Sequence, residues 1–434
     1  MQEIYQICFI FLLIILKRYN ILYMAKTLWG KIYFKDIYAG RLQEEPGGRV
    51  VFTYDISYLE AKHPAIAHTL PLRSEPYISE RGLHSFFDNL VAEGWLRNAQ
   101  AKALGVNPNN RFALLLGFGF DLAGAVSVID PEEQAHKHPG HTDDATLAAL
   151  LGRASLSGVQ RKLLVVRDGN EYRPVHPGEL STHIAKLSSG NLAHIIELEY
   201  LTTQAVRKLL PSDDVVDMEI ADISSIKEQA LVIPRFDRTS TGKRIHFEEF
   251  NQLTGRSSGD DKYEGAYEEM GQFILTTPGC IPAEADRLLQ RVLASLLIGN
   301  TDAHFKNFAM FHTRDGLRLT PSYDLVASSI YKEYQSIALS VSGIENLSIG
   351  KLLPKHLLRM GKGFGLREEA LVSAIETIGK QLSDALAALS KSNVGSQTLR
   401  NNLMEKMEKR WNGSFKLTGQ LLSKRRGSDA KAKS

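Results

Sequence analysis

The chain has 434 residues, of which 43% are apolar and 23% are charged, and its formal net charge at pH 7 is +3. This length and composition predict a globular protein of about two to four domains, and so small a charge does not by itself indicate nucleic-acid binding. With Cys8 and Cys280 as the only cysteines, the sequence excludes a disulfide framework and a cysteine-based zinc site, and we expect a cytoplasmic location.

The N-terminal region contains ten consecutive apolar residues, Ile7 to Leu16, followed by Lys17 and Arg18. A helix that spans a bilayer needs about 20 apolar residues, and a signal peptide would have a basic start and a small-residue cleavage site. We therefore interpret residues 1–23 as an extension encoded upstream of a true start at Met24. A membrane-surface anchor is the alternative interpretation.

Residues 24–130 are predicted to form a small mixed unit. The stretches LWGKIYF and GRVVFTYD are rich in β-branched and aromatic residues and predict strands. The stretch HSFFDNLVAEGWLRNAQAKALG predicts one helix, with Phe86 and Leu96 on its apolar face.

A polar stretch follows at residues 131–150. It contains His136, His138 and His141, without a partnering cysteine and without helical spacing. We interpret this stretch as a solvated linker between domains, and a metal site formed by the three histidines is the alternative.

Residues 151–240 are predicted to form a second unit built on strands. Two extended runs flank Asp168-Gly169, a pair that favours a hairpin turn because it tolerates positive φ. The stretch STHIAKL predicts the next strand, AHIIELEYLTTQAVRKLL predicts an amphipathic helix, and ALVIPRFDR predicts a strand broken at Pro234.

Residues 241–415 are predicted to be mainly helical. The stretch PAEADRLLQRVLASLLIGN predicts an apolar helix that begins near Pro282 and ends at Gly299-Asn300. The stretch REEALVSAIETIGKQLSDALAAL predicts a second helix with a core-facing apolar stripe. Residues 416–434 are predicted to be a basic tail, whose last stretch, SKRRGSDAKAKS, is expected to be disordered.

The clearest indication of chemistry lies in the stretch TDAHFKNFAMFHTRDGLRLTPSYDL, directly after the apolar helix. Its two alternating runs predict an antiparallel hairpin, which would bring Asn307, before the first strand, close to Asp324, after the second strand. Asp302 and Asn307 have the Asp-x-x-x-x-Asn spacing of a kinase catalytic loop, where the aspartate accepts the substrate proton and the asparagine holds metal. Asp302 is therefore the candidate catalytic base, and Asn307 and Asp324 are candidate ligands of Mg²⁺, which prefers oxygen.

A kinase also needs a loop that covers the phosphates, a strand lysine and an acidic partner on the next helix. Lys186 is the candidate lysine, and Glu199, or as a second choice Glu197, is its candidate partner. In the catalytic loop, His304 and Lys306 are candidate nucleotide contacts, with loop packing of His304 and solvation of Lys306 as alternatives. The candidate phosphate loop has one glycine only, so an ordinary loop remains the alternative; it consists of Ser157, Gly158, Val159, Gln160, Arg161 and Lys162.

Together with short motifs in a fixed order, these residues make the chain resemble the HipA family of toxin serine/threonine kinases. The motifs are LPLRSEPY, FFDNLVAEG, DLAGAVSV, SLSGVQRK, STHIAKL, RFDR, KYE and TDAHFKNF followed by LTPSYDL. The resemblance extends from Met24 to about Trp411. It implies an α+β class and a bilobal protein-kinase-like fold, in which a small N-terminal α+β domain precedes an N-lobe (residues 151–240) and a mainly helical C-lobe (residues 241–415).

The resemblance also implies phosphorylation of a protein serine with ATP and Mg²⁺, and it assigns Arg235 and Phe236 to the adenine hinge. Family members autophosphorylate on a phosphate-loop serine; the matching position is Ser155, and Ser157 is a second candidate. The usual partner is a helix-turn-helix antitoxin, through which DNA is contacted indirectly, and known targets include aminoacyl-tRNA synthetases. A kinase-like scaffold that acts with the antitoxin and a small-molecule kinase are the alternative functions.

Overall fold

A computed structural model of the chain describes residues 28–132, 143–152, 160–224 and 226–423. Several sequence-based expectations lie outside these residues: the N-terminal extension, the histidines at 136, 138 and 141, and the phosphate-loop residues Ser155, Ser157, Gly158 and Val159. Within the described part of the chain, no helix combines the length and the apolar character needed to cross a bilayer.

The described residues form both α-helices and β-sheets, which agrees with the expected α+β class. The strands are β1 (Trp29–Phe34), β2 (Ile37–Glu45), β3 (Arg49–Tyr54), β4 (Tyr77–Ser79), β5 (Val126–Ile129), β6 (Lys162–Asp168), β7 (Glu171–Pro174), β8 (His183–Leu187), β9 (Glu219–Ile223), β10 (Ile226–Pro234), β11 (Phe247–Glu249), β12 (Ala309–Thr313) and β13 (Gly316–Leu319). The helices are α1 (Ile56–Glu60), α2 (Ser85–Asp88), α3 (Gly94–Leu104), α4 (Arg111–Phe118), α5 (Asp144–Leu151), α6 (Ile195–Leu209), α7 (Phe250–Leu253), α8 (Tyr267–Thr276), α9 (Glu284–Ile298), α10 (Pro354–Gly363), α11 (Glu368–Lys391) and α12 (Gln397–Arg410).

The N-terminal unit is an antiparallel sheet in the order β4-β3-β2-β1-β5, with helices packed against it. Burial alternates along β1 and β3, as expected for strands with one face on a core. The prediction of one helix from His84 onward was wrong, because the chain forms α2 and α3 with a break between them. The first helix ends at Asp88, and before the second one Glu93 is extended and Gly94 has a φ of +57°, so the two cannot form one continuous helix.

A five-stranded barrel in the order β10-β8-β6-β7-β9 follows. The predicted hairpin joins β6 to β7, and Gly169 in its turn has a φ of +61°. The polar stretch interpreted as a linker contains α5, which the sequence-based interpretation did not include. This helix packs Ala145 and Ala149 against Leu163 of β6 and Leu96 of α3, so part of the stretch belongs to the core.

The helical part is organised around one large apolar cluster to which α6, α8, α9, α11 and α12 all contribute. The apolar residues of α9 are almost completely buried, while Asp286 in its first turn is exposed, as expected for a helix that packs an apolar face on the core. The prediction of a tail from residue 416 onward was wrong for its first part: the chain stays helical to residue 423 and buries Thr418 and Leu422.

Candidate functional site

The loop after α9 begins where that helix ends, at Gly299. Gly299 has a φ of +81° and its N–H donates to the carbonyls of Ser295 and Leu296, so the chain turns sharply away from the helix axis. The next residues are fixed by hydrogen bonds within the loop: the N–H of Asp302 donates to Oδ1 of Asn300 at 3.2 Å. The loop therefore presents its polar side chains in a defined arrangement.

The hairpin formed by β12 and β13 returns the chain to this loop. Asn307 lies before the hairpin and Asp324 after it, and Nδ2 of Asn307 donates to Oδ2 of Asp324 at 2.7 Å. Asp324 adopts a φ of +56°, a conformation that is uncommon outside glycine and is concentrated at functional sites. The structure thus brings together the two residues that the sequence analysis expected to meet.

Lys186 on β8 lies between two carboxylates. Its Nζ is 2.5 Å from Oε1 of Glu199 on α6 and 2.5 Å from Oδ1 of Asp324. Burial disfavours the charged lysine, but the negative charges of Asp324 and Glu199 outweigh it and raise the pKa of Lys186 above its ordinary value. Burial likewise opposes ionisation of Asp324, yet Lys186 and Lys162 hold its pKa well below the usual range. Glu197, the second choice, lies near His194 instead.

Asp302 lines the same space from the loop after α9, where the residue is exposed. Oδ1 of Asp302 accepts a hydrogen bond from the hydroxyl of Tyr263 at 3.1 Å. The surrounding protein withdraws water from this carboxylate and Asp324 adds negative charge, so that its pKa is raised to about 6. At neutral pH this carboxylate is mostly ionised and is a stronger base than an ordinary aspartate.

These side chains line one cavity of about 450 Å³ between the barrel and the helical part. Its size lies within the range of small-molecule sites in proteins, which is about 300–1,000 Å³. The barrel contributes Lys186, the loop after α9 contributes Asp302 and Asn307, and the segment after β13 contributes Asp324. The lining of the cavity therefore combines apolar residues with a cluster of charged groups.

The two residues predicted for the adenine hinge, Arg235 and Phe236, also line this cavity. Phe236 lies among aromatic rings, whereas Arg235 lies among carboxylates. The Phe236 ring packs against Phe247 and Tyr323, with centroids 5.0 and 5.5 Å away. The Arg235 guanidinium is buried instead in an ion-pair network with Asp121 and Asp237, and its Nη1 lies 3.1 Å from Oδ1 of Asp121.

Three residues of the predicted phosphate loop are described. Lys162 begins β6 directly opposite Lys186 on β8, and burial together with the like charge of Lys186 lowers its pKa, against an opposing effect of Asp324. Nε2 of Gln160 donates to the carbonyl of Leu187 at 2.8 Å. Arg161 points elsewhere, to Asp143 and Glu228, with its shorter contact at 2.8 Å.

His304 and Lys306 are both buried. Nδ1 of His304 accepts from the N–H of Lys306 at 3.3 Å, and burial with the nearby positive charge of Lys262 lowers the pKa of His304 to about 3. The alternative of a solvated Lys306 was wrong, since its Nζ is 2.8 Å from Oε1 of Glu93 and 3.6 Å from Oε2 of Glu249. His304 is therefore neutral at pH 7, whereas Lys306 is held in an ion pair.

The sequence analysis missed Glu93, Lys262 and Tyr263 as parts of this site. Glu93 bridges two lysines, with Oε1 on Lys306 and Oε2 at 2.9 Å from Nζ of Lys262. Both Lys262 and Tyr263 fall in the motif KYE, and Glu93 falls in the motif FFDNLVAEG. The motifs contain these three residues, but no rule of sequence spacing indicates that Glu93 pairs with lysines 169 and 213 residues away.

The donor set near Asp324 fits a hard divalent cation. A third of the Asp324 side chain is exposed to the cleft, and a carboxylate beside an amide supplies the oxygen ligands that Mg²⁺ prefers. Oδ1 of Asn307 already accepts from the N–H of His304 at 2.9 Å, but a carbonyl oxygen has a second lone pair for a cation. The residues present are therefore compatible with Mg²⁺ held by Asn307 and Asp324.

Two family models match the chain: the HipA N-terminal domain over residues 30–129 and the HipA-like C-terminal domain over residues 154–386. The chain is 25% identical over 405 residues to the serine/threonine-protein kinase toxin HipA of Shewanella oneidensis, which covers 84% of this chain and 89% of that protein. It is 31% identical over 323 residues to Y4dM of Sinorhizobium fredii, named as a candidate kinase, which covers 67% of this chain and 75% of that protein.

The fold is similar to a solved structure of the Shewanella oneidensis toxin HipA in complex with HipB and operator DNA. The TM-score is 0.73 at 21% identity, and the superposition covers 90% of this chain and 99% of that chain. This likeness concerns the fold, and it extends over almost the whole of both chains.

Proposed function

This chain belongs to the HipA family, whose named relatives include kinases, and from that premise we propose that it is a serine/threonine protein kinase. The reaction is transfer of the γ-phosphoryl group of ATP to a protein serine. The observation that carries the proposal is the convergence of Lys186, Asp302, Asn307 and Asp324 on one cavity of about 450 Å³. Phosphoryl transfer depends on positioning and charge neutralisation, and this set of groups can provide both.

In the proposed arrangement, the barrel with α6 acts as the N-lobe and the helical part as the C-lobe, and ATP binds between them. Lys186 binds the phosphates, and its pairing with Glu199 holds the ammonium in place and keeps it charged. Lys162 lies across from Lys186 on the neighbouring strand and adds a second positive group to the same wall. The Phe236 side of the cavity, with its aromatic neighbours, takes the adenine base.

Asp302 acts as the general base. The hydroxyl oxygen of the substrate serine bonds to the γ-phosphorus while the bond from that phosphorus to the bridging oxygen of ADP breaks. The hydroxyl proton passes to the carboxylate of Asp302, whose pKa of about 6 makes it ionised at neutral pH and able to accept a proton. Tyr263 donates to Oδ1 and orients the carboxylate.

Asn307 and Asp324 would hold Mg²⁺, which when bound neutralises phosphate charge. The side chain of Asp324 is shared between Lys186 and Asn307, so it also positions these two groups relative to each other. Its depressed pKa keeps it ionised over the whole physiological range.

We extend the proposal to regulation and partners on the basis of the family. Autophosphorylation on Ser155, or alternatively Ser157, would switch the kinase off. A helix-turn-helix antitoxin would bind the chain and link it to operator DNA, as supported by the likeness to the HipA of the HipA–HipB–DNA complex. The kinase would then be the toxin of a toxin–antitoxin pair, and an aminoacyl-tRNA synthetase is the first substrate to test.

The experiment is mass spectrometry of the purified chain after incubation with ATP and Mg²⁺, with Asp302→Ala as the test variant. Asp315→Ala, in the exposed turn of the β12–β13 hairpin, is the matched control because it removes the same group away from the cavity. We expect phosphate on Ser155 or Ser157 in the wild type and in the control, and none in Asp302→Ala. Equal phosphate in both variants would refute the assigned base. If the chain binds the antitoxin but transfers no phosphate, the scaffold function is favoured. If labelled phosphate from ATP is found only in a small molecule, the small-molecule kinase is favoured.

A further inference from the structure

Three metal-ligating side chains lie on one face of the β11–β12 ladder. Phe247 pairs with Phe311 and Glu248 with Met310, and the N–H of His312 donates to the carbonyl of His246 at 3.1 Å. His246 is thus directly opposite His312, and Glu248 follows His246 by two residues. Because side chains alternate along a strand, all three project from the same face.

This face is turned away from the kinase cavity. Glu249, the next residue along β11, lines the cavity, so its neighbour Glu248 points to the opposite side. There it meets the N-terminal unit: the N–H of His68 donates to Oε1 of Glu248 at 2.6 Å, and the N–H of Ala125 donates to Nδ1 of His246 at 3.4 Å. The cluster is therefore enclosed between two parts of the chain.

The three side chains are close together and two of them are deeply buried. One ring nitrogen of each histidine and one carboxylate oxygen of Glu248 all lie within 4.8 Å of one another. His246 is 2% exposed and Glu248 is not exposed at all, while 27% of the His312 side chain is exposed. The His312 side therefore provides a path from solvent to the cluster.

Two buried polar atoms of this cluster have no hydrogen-bond partner among the residues that the structure describes. They are Nε2 of His246 and Oε2 of Glu248. Buried polar groups without partners cost stability and are rare in folded proteins, so each calls for a physical explanation. A backbone group of Ile66 lies close to His246, but its geometry falls short of a hydrogen bond to Nε2.

We propose that His246, Glu248 and His312 form a binding site for a divalent transition-metal ion, with Zn²⁺ as the best match. Two imidazoles and one carboxylate are a ligand set of zinc sites, and they differ from the all-oxygen set that suits Mg²⁺. With Zn–N bonds of about 2.0–2.1 Å, tetrahedral ligand atoms lie about 3.3 Å apart.

The present separations bracket that value: Nε2 of His312 is 2.7 Å from Oε1 of Glu248, and the longest separation is within 4.8 Å. Small side-chain movements therefore suffice to form the site. The bound ion would connect the β11–β12 ladder to the N-terminal unit through Glu248, whose Oε1 accepts from the N–H of His68. Binding through Nε2 of His246 would move the proton of that ring to Nδ1, so the 3.4 Å hydrogen bond from the N–H of Ala125 would be given up.

The test is zinc stoichiometry by elemental analysis, after the full chain is stripped with a chelator, loaded with ZnCl₂ and dialysed. His312→Gln is the first variant, because its partial exposure makes it the substitution best tolerated by the fold, and Glu248→Gln is the second. We expect one equivalent of zinc in the wild type and at least about a 10-fold loss of affinity in each variant, by competition with a chromophoric chelator. The matched control replaces His136, His138 and His141 together by glutamine and should leave this zinc bound.

Substitution of Co²⁺ for Zn²⁺ tests the site by visible absorption of the wild-type chain, without any variant. Co²⁺ bound by the wild-type chain with four-coordinate geometry gives intense visible absorption bands, and addition of one equivalent of Zn²⁺ should abolish them. A wild-type chain that retains no zinc would overturn the proposal. Zinc that persists in both His312→Gln and Glu248→Gln, or that is lost in the triple-histidine control, would also overturn it.

Discussion

Replacement of Glu93 by glutamine tests how the N-terminal unit supports the loop after α9, which carries Asp302. The Glu93 carboxylate bridges Lys306 at 2.8 Å and Lys262 at 2.9 Å, and it also accepts from the hydroxyl of Ser258 at 3.0 Å. Both lysines are buried, with 3% and 8% of their side chains exposed. Glutamine keeps the shape of the side chain but removes the charge that neutralises them.

The expected loss of stability follows from leaving two buried cations without their shared partner. Removing one member of a buried ion pair costs about 3–5 kcal/mol. We expect the lower end, because the glutamine oxygen still accepts one hydrogen bond and Glu249 remains 3.6 Å from Lys306. A loss of about 3 kcal/mol corresponds to roughly a 100-fold change in the folding equilibrium.

The pH dependence of the stability lost in Glu93→Gln is a second quantity with a predicted direction. Burial opposes ionisation of Glu93, but Lys306 and Lys262 outweigh it and lower its pKa below the ordinary value. A carboxylate with a depressed folded-state pKa stabilises the protein above its unfolded pKa, about 4.3, and this contribution declines as the pH falls below that value. The difference between wild type and Glu93→Gln should therefore be constant near neutral pH and shrink in acid.

Urea unfolding, followed by circular dichroism at about pH 7 and about pH 4, measures both effects. Asp217→Asn is the matched control, since it removes one carboxylate charge from an exposed pair with Arg207 and should cost less than about 1 kcal/mol. The reasoning is refuted if Glu93→Gln costs no more than Asp217→Asn, or if its cost does not shrink on acidification.

Lys186→Met should lower kcat/KM for phosphoryl transfer by about 100-fold or more, because methionine fills the space without supplying charge to the phosphates; steady-state kinetics measure this, and retention of more than about a tenth of the activity would contradict it. Since burial and Asp324 raise the pKa of Asp302 to about 6, kcat/KM should fall about tenfold per pH unit below that value, and a flat profile between about pH 5 and 7 would count against Asp302 as the base. Gly299→Ala should lower the free energy of unfolding by more than about 1 kcal/mol, because a side chain there is strained at a φ of +81° and a Cβ would collide with Ser329. Gly279→Ala is the control, because Gly279 has a φ of +89° but no atom lies within 4 Å of an added Cβ, so this variant carries the backbone strain without a collision. If both variants lose the same free energy of unfolding, the predicted collision with Ser329 is refuted.

Much of the local structure could be predicted from the sequence because it depends on neighbouring residues. The end of α9 at Gly299 and the hairpin that brings Asn307 to Asp324 both follow from turn chemistry and strand alternation. The pairing of Lys186 with Glu199 follows from a strand and the helix directly after it, thirteen residues apart.

Other features could not be predicted because they depend on contacts between distant parts of the chain. Glu93 is 169 residues from Lys262 and 213 residues from Lys306, and no periodicity links positions so far apart. The break in the helix predicted from His84 onward was missed as well: Glu93, whose carboxylate contacts both lysines, is extended, and Gly94 has a φ of +57°. The spacing of apolar residues does not reveal such a break.

The N-terminal unit is bonded to both walls of the cavity. On the barrel side, Asp121 accepts from Ser181 just before β8 and pairs with Arg235 and Arg238 just after β10. On the helical side, Glu93 holds Lys306 of the catalytic loop. These pairs are buried, so separating them would leave uncompensated charges at a cost of several kcal/mol each. The distance between the lysine wall and the catalytic loop is therefore set partly by the N-terminal unit, which makes that unit a structural component of the site.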